Sequence, residues 1–209
     1  PALKIENEKA NHGAHEVIIE TPNHNDIFSK MQSEYITNMF GAYKTRLTDL
    51  YNDPSLNCIT IFKNHKKEAG ASIEHPHSQL IAMWDLVPSL LLSEKLNEAK
   101  MYYMRTNRSI FDRVIEETRG SGLCIEEDNN FYAFCPYAPR SNFQINIFPL
   151  KQIANFENHP DEELPQLAKI VKSVCEKLYV ALKDPPFNMI LYTGPPLRVG
   201  DYCSSFRWH

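Results

Sequence analysis

The chain has 209 residues, enough for one large domain or two small ones, and a composition of 43% hydrophobic and 23% charged residues allows a substantial globular core. Its 22 Lys and Arg against 26 Asp and Glu leave a net charge of −4. With no block of five or more like charges, this argues against nucleic-acid or anionic-membrane binding and leaves small anions as ligands. No apolar run reaches the roughly 20 residues that span a bilayer, and no basic-then-apolar leader opens the sequence. Five widely spaced cysteines without a C-x-x-C pair define neither a disulfide framework nor a complete cysteine zinc site, and they fit a reducing cytoplasm. The sequence starts at Pro1 and stops at Phe206 to His209, which reads as mid-strand, so parts of the functional protein are expected outside it.

In chain order, His15 to Glu20 is a β-rich run closed by Thr21-Pro22-Asn23. Asn25 or Asp26 is placed to cap a helix from Ser29 to Tyr51, where Met31, Tyr35, Met39, Tyr43 and Leu47 recur every four positions as a core-facing stripe. Asn57 to Phe62 reads as a strand, Asn64 to Glu74 as a loop, and His75 to Met83 as a strand. A helical connector from about Pro88 to Arg119 ends at Gly120-Ser121-Gly122. Leu123 to Glu127 and Phe131 to Cys135 flank Asp128-Asn129-Asn130 as a hairpin. Phe143 to Phe148 is a strand, Asp161 to Lys183 a helix, Phe187 to Tyr192 a strand, and Cys203 to His209 another after a Pro- and Gly-containing loop. Strand, helix, strand, loop, strand therefore occurs twice, and the interval Phe62 to His77 is close to that from Tyr192 to His209. This implies a duplication of α+β class with halves at 1–87 and 121–209 joined by a connector at 88–120.

The chemistry concentrates between Asn64 and Gln79. In an extended strand His75, His77 and Gln79 project from one side and Pro76, Ser78 and Leu80 from the other. Pro76 cannot donate to a ladder and suits the start of an edge strand. Neutral imidazole is abundant near its ordinary pKa of about 6.5 and is a good nucleophile toward phosphorus, so His77 can carry a phosphoryl or nucleotidyl group. Gln79 offers an amide donor to a non-bridging oxygen. Gly70, Ala71 and Ser72 allow close backbone approach to an anion, although the same residues also serve as ordinary turn chemistry. A surface strand with incidental histidines is the plain alternative.

These residues resemble the galactose-1-phosphate uridylyltransferase family of the histidine triad superfamily. The resemblance rests on His15 to His24 (HEVIIETPNH), on Phe62-x-Asn64 followed by Ala69-Gly70-Ala71-Ser72-x-x-His75-Pro76-His77-Ser78-Gln79, on Cys135 to Arg140 (CPYAPR), and on Phe206-x-Trp208-His209. It implies duplicated histidine-triad-like halves, each an antiparallel sheet with a packed helix, and a homodimer. The implied reaction is ping-pong. His77 takes the nucleoside monophosphate from a nucleotide sugar such as UDP-glucose and passes it to a sugar 1-phosphate or phosphate, with Asn64, Gly70, Ala71, Ser72 and Gln79 contacting phosphate. It also implies a structural zinc on His24 and His75, with two cysteines upstream of residue 1; a loop histidine is the alternative for His24. His12, His15, His65 and His159 are expected at the surface or in local hydrogen bonds. Three departures stand out: Lys66 where many relatives have glycine, Gln152 where they often have histidine, and Arg207 in place of the first histidine of a His-x-His. A phosphorylase of ADP-glucose or diadenosine tetraphosphate, and a non-catalytic nucleotide-binding protein, are the competing readings.

Overall fold

Four helices and seven strands make an α+β fold in the computed structural model, which describes residues 13–84 and 90–209. His12 and the start of the expected connector lie outside the described residues. Strand β1 (Gly13–Ile19) alternates exposed and half-buried residues, with Ala14, Glu16 and Ile18 turned inward. Helix α1 (Ser33–Tyr51) buries Ile36, Met39, Phe40, Tyr43 and Leu47, the stripe its spacing predicts. It begins four residues later than the periodicity because Phe28–Lys30 forms a separate 3-10 turn. Asn25 and Asp26 do not cap it: Asp26 closes the preceding loop by accepting the Thr21 hydroxyl at 2.7 Å and the Asn23 amide at 3.3 Å.

Strands β2 (Cys58–His65) and β3 (His77–Met83) follow. Strand β3 starts two residues later than expected, since Pro76 has no N–H to give the ladder and lies just outside it. The edge-strand placement is also corrected. The sheet order is β1-β3-β2-β7, wholly antiparallel, so β3 is interior and Pro76 is used for its carbonyl, which accepts the Glu20 N–H at 3.2 Å.

The connector is two helices, α2 (Leu90–Thr106) and α3 (Ile110–Thr118), broken where Asn107 takes a positive φ of 54° and Ser109 caps α3 through the Phe111 N–H. A second sheet, β4 (Cys124–Glu127), β5 (Phe131–Phe134) and β6 (Asn146–Pro149), contains the expected hairpin, whose turn is tied by Asp128 accepting the N–H groups of Asn130 and Phe131 at 2.8 Å. Strand β6 begins three residues late because Phe143 sits in a turn with φ of 59°.

After α4 (Leu164–Leu182), strand β7 (Phe187–Leu191) crosses to pair with β2 in the first sheet. The second half thus lends its last strand to the first. Residues 203–209 are not a strand, although His209 and Tyr192 exchange two backbone hydrogen bonds at 2.8 and 2.9 Å. Helices α1 and α4 share one core with the inner face of the four-stranded sheet, and Phe131 and Trp208 join α4 in it from the second half. A second cluster gathers Leu92, Leu96, Phe111, Phe134, Phe148 and Phe206. No helix among the described residues is long and apolar enough to cross a membrane.

His159 is not at the surface. It is 1% exposed, with ring centroids 5.4 Å from Phe131 and 5.1 Å from Trp208, and its Nε2 stands 3.4 Å from Glu163 Oε2, outside hydrogen-bond geometry. Burial pushes its pKa down to about 4, against the attraction of Glu163 and with the help of Lys44 and Lys151. Burial and the Lys95 ammonium take His209 down to about 3. Both imidazoles are neutral when folded and protonate near pH 6.5 when unfolded, so their contribution is complete above pH 6.5 and is lost as pH falls toward 4 and 3. Urea unfolding from pH 7 to pH 4 is expected to show stability falling across that window, with His159 accounting for about 2 to 3 kcal/mol. His159→Phe should flatten the slope, and an unchanged slope in that variant refutes this origin.

Candidate active site

Beneath the first sheet four buried polar side chains form a chain. Tyr43 on α1 donates to Ser78 Oγ at 2.5 Å, Ser78 donates in a very short bond to Glu20, and Glu20 accepts Lys63 Nζ at 2.7 Å. Glu20 and Lys63 side chains are 0% and 2% exposed. Burial and the Glu20 charge raise the Tyr43 pKa well above its ordinary value, so the phenol remains a donor. Lys63 also reaches the His77 backbone carbonyl at 3.4 Å, which attaches the chain to His77 itself. None of these roles was expected from the motifs, though Glu20 and Lys63 are in phase with the core-facing Ile18 and with Ile59 and Ile61.

On the opposite face the antiparallel register sets Ile19 across from His77, Val17 across from Gln79, and Gln79 across from Phe62, which pairs with Ile190. His77 and Gln79 therefore share a face lined with apolar groups, as predicted. His75 does not join them, because it precedes the strand. The His77 ring is fixed by a 2.8 Å bond from Nδ1 to the His75 carbonyl. An oxygen acceptor there requires Nδ1 to carry the hydrogen, so the lone pair is on Nε2. Gln79 Oε1 lies 3.0 Å from Nε2 of His15, which is exposed on β1 as expected and reaches across to the neighbouring strand.

The turn after β2 closes through Ala69, Gly70 and Ala71 N–H groups donating to Lys66 and Lys67 carbonyls at 2.9 to 3.1 Å. Gly70 has φ of 91°, and Lys66 has φ of 69° with ψ of 161°, a region strained for any side chain. This conformation is the physical reason glycine suits position 66. Lys66 is held by an ion pair to Asp184 at 2.7 Å, and Asp184 also meets His65 at 3.0 Å. Asn64 ties the turn to the sheet: its amide donates to Gly70 O at 3.4 Å, and its oxygen accepts Asn188 Nδ2, which also bonds Ala69 O. Asn188, on β7, was not anticipated, because nothing in its sequence neighbourhood indicates that β7 crosses over to β2. Ser72 is exposed and Ala71 half-buried, and neither bonds His77 or Gln79.

His24 and His75, 51 residues apart, are brought together with Nδ1 atoms 3.2 Å apart, and Nε2 of His75 bonds the Thr21 carbonyl at 2.8 Å. Among the described residues no group of three or more His, Cys, Asp or Glu is placed to hold a metal.

The fold agrees with comparison to known proteins. Residues 5–86 match the family model described as galactose-1-phosphate uridyl transferase, N-terminal domain. The chain is 31% identical over 183 residues to ADP-glucose phosphorylase of Arabidopsis thaliana, covering 88% of this chain and 50% of that protein. It is 27% identical over 198 residues to galactose-1-phosphate uridylyltransferase of Thermotoga maritima, covering 94% and 61%. The crystal structure of a GalT-like protein from Arabidopsis thaliana superposes with a TM-score of 0.85 at 30% identity, covering all of this chain and 69% of that one. The chain thus spans about half to three fifths of the curated relatives it matches. On sequence and on fold, it belongs to the galactose-1-phosphate uridylyltransferase family.

Proposed function

We propose that the protein is a nucleotidyltransferase that moves a nucleoside monophosphate from a nucleotide sugar to a phosphate-bearing acceptor through a covalent nucleotidyl-His77. The observation that carries this reading is the 2.8 Å bond from His77 Nδ1 to the His75 carbonyl, which leaves Nε2 as the nucleophile. In the first half-reaction Nε2 attacks the α-phosphorus, the phosphorus–nitrogen bond forms, and the bond to the departing sugar 1-phosphate breaks. In the second an acceptor phosphate oxygen attacks the same phosphorus and His77 leaves neutral. Gln79 donates to a non-bridging oxygen throughout, and the Gly70 to Ser72 turn braced by Asn64 supports the neighbouring phosphate. UDP-glucose with a hexose 1-phosphate acceptor is the reading adopted. The 31% identity to a protein named ADP-glucose phosphorylase supports a second, in which the donor carries adenine and the acceptor is phosphate.

The zinc belongs to the same reading. The 3.2 Å between Nδ1 of His24 and Nδ1 of His75 fits two legs of a tetrahedral zinc, whose bonds of about 2.0 to 2.1 Å set such nitrogens roughly 3.3 Å apart. The His75 Nε2 bond to the Thr21 carbonyl supplies the outer support metal-bound imidazoles use. His24 and His75 would hold the ion with cysteines upstream, and bound zinc would brace the chain entering β3. Free cysteines support a cytoplasmic setting. The exposed apolar Val17 and Ile19 on the edge strand β1 support a homodimer.

Intact-mass measurement of full-length protein after exposure to UDP-glucose and to ADP-glucose tests the reaction. One of them is expected to add a nucleotidyl group that His77→Ala abolishes with its unfolding midpoint retained, and labelling that survives in His77→Ala refutes the assignment. The adduct should discharge slowly in water and rapidly on adding a sugar 1-phosphate or phosphate, and Gln79→His should raise the water reaction relative to transfer, because an imidazole can exchange protons where an amide cannot. Equal discharge with and without acceptor would make the protein a hydrolase.

Metal analysis of full-length protein is expected to give about one zinc per chain, largely lost in a His24→Ala, His75→Ala double variant. Undiminished zinc in that variant places the metal elsewhere.

A further inference from the structure

Gln79 can serve a phosphate only if its amide group points the right way. A carboxamide has an accepting end and a donating end of nearly equal size, and a phosphate oxygen attracts one and repels the other. In this structure the amide oxygen is the end turned toward β1, with Oε1 of Gln79 3.0 Å from Nε2 of His15. With the His15 hydrogen on Nε2, the imidazole donates to that oxygen. The NH2 group is then turned away from His15, and among the described residues its nitrogen has no partner. His15 reaches Gln79 as a diagonal neighbour across the β1–β3 ladder, Val17 being directly opposite. The approach of the two strands is close at Gly13, where an added Cβ would stand 2.4 Å from the Ala82 carbonyl oxygen, so that position admits only glycine without a shift of β1. Ladder and glycine together hold His15 in register with Gln79.

We propose that His15 is a positioning residue: it holds the Gln79 carboxamide by its oxygen so that the NH2 end is presented to a non-bridging oxygen of the phosphate that His77 attacks. The inference rests on the nucleotidyl-His77 reading and adds to it a residue that touches no substrate. His15 is exposed on an edge strand, so its loss removes little packing, and its effect should run through Gln79 alone.

The test is a double-mutant cycle on full-length protein, with the rate of His77 nucleotidylation followed by quenched-flow intact mass at saturating and sub-saturating nucleotide sugar. His15→Phe keeps a ring and removes the donor; it should slow adduct formation about tenfold at saturation, the size of one hydrogen bond to a charged centre, with the unfolding midpoint unchanged. His15→Gln, which restores an N–H donor, should recover most of the rate. In a Gln79→Ala background His15→Phe should have no further effect. Wild-type rates in His15→Phe, or equal slowing with and without Gln79, overturns the role of His15 while the covalent mechanism stands. Absence of any adduct in wild type overturns the covalent mechanism and this proposal with it.

Discussion

The Glu20 carboxylate is the constraint on which the site depends. A carboxylate with no exposed surface is costly unless its oxygens are bonded, and here they take the Ser78 hydroxyl and the Lys63 ammonium. The partners arrive from different elements: Glu20 from the end of β1, Lys63 from β2, Ser78 from β3, and Tyr43 from α1 through Ser78. Satisfying one anion therefore fixes three strands and a helix against one another. Such a buried pair contributes little net stability compared with apolar packing, but loss of one partner strands the other charge, at a cost of about 3 to 5 kcal/mol. Its use is positional. Ser78 lies between His77 and Gln79, so these two residues are anchored from the other side of the same strand.

The outward face is built with complementary economy. His77 is held by a backbone carbonyl, which requires the hydrogen on Nδ1, and the Gln79 amide oxygen meets a histidine on the neighbouring strand. The turn after β2 depends on the cross-strand pair Asn64 and Asn188, whose side chains bond each other and the Gly70 and Ala69 carbonyls. Lys66 sustains a backbone conformation suited to glycine by tying its ammonium to Asp184, whose carboxyl is held below its ordinary pKa because bonds from Lys66 and His65 outweigh the effect of burial. The turn is thus pinned to the end of α4 as well as to β7.

The sequence made some of this legible and concealed the rest for physical reasons. The stripe from Met31 to Leu47 located α1, and alternation in the strand read from His75 to Met83 placed His77 and Gln79 on one face, since both depend on local periodicity, while His75 fell outside the strand. Glu20 and Lys63 were legible in principle: opposite charges in phase with Ile18 and Ile61 can be buried only as a pair. The passage of β7 to β2 could not be read, because strand alternation does not name the partner strand. His159 misled because its imidazole, neutral and wrapped by Phe131, Phe156 and Trp208, behaves as an aromatic core residue. Pro76 misled because a proline before an interior strand leaves the same trace as one at an edge. The Lys63-to-His77 carbonyl and His15-to-Gln79 contacts depend on register, which the duplication pattern left undetermined.

The central claim is that Nδ1 of His77 is committed to the His75 carbonyl and Nε2 is the reacting atom. Long-range proton–nitrogen NMR of full-length protein labelled with nitrogen-15 in histidine, recorded before and after loading from a nucleotide sugar, observes this directly. The account predicts a protonated Nδ1 in both states and phosphorus coupling at Nε2 of His77 in the loaded protein; phosphorus on Nδ1, or loading at a histidine other than His77, would contradict it.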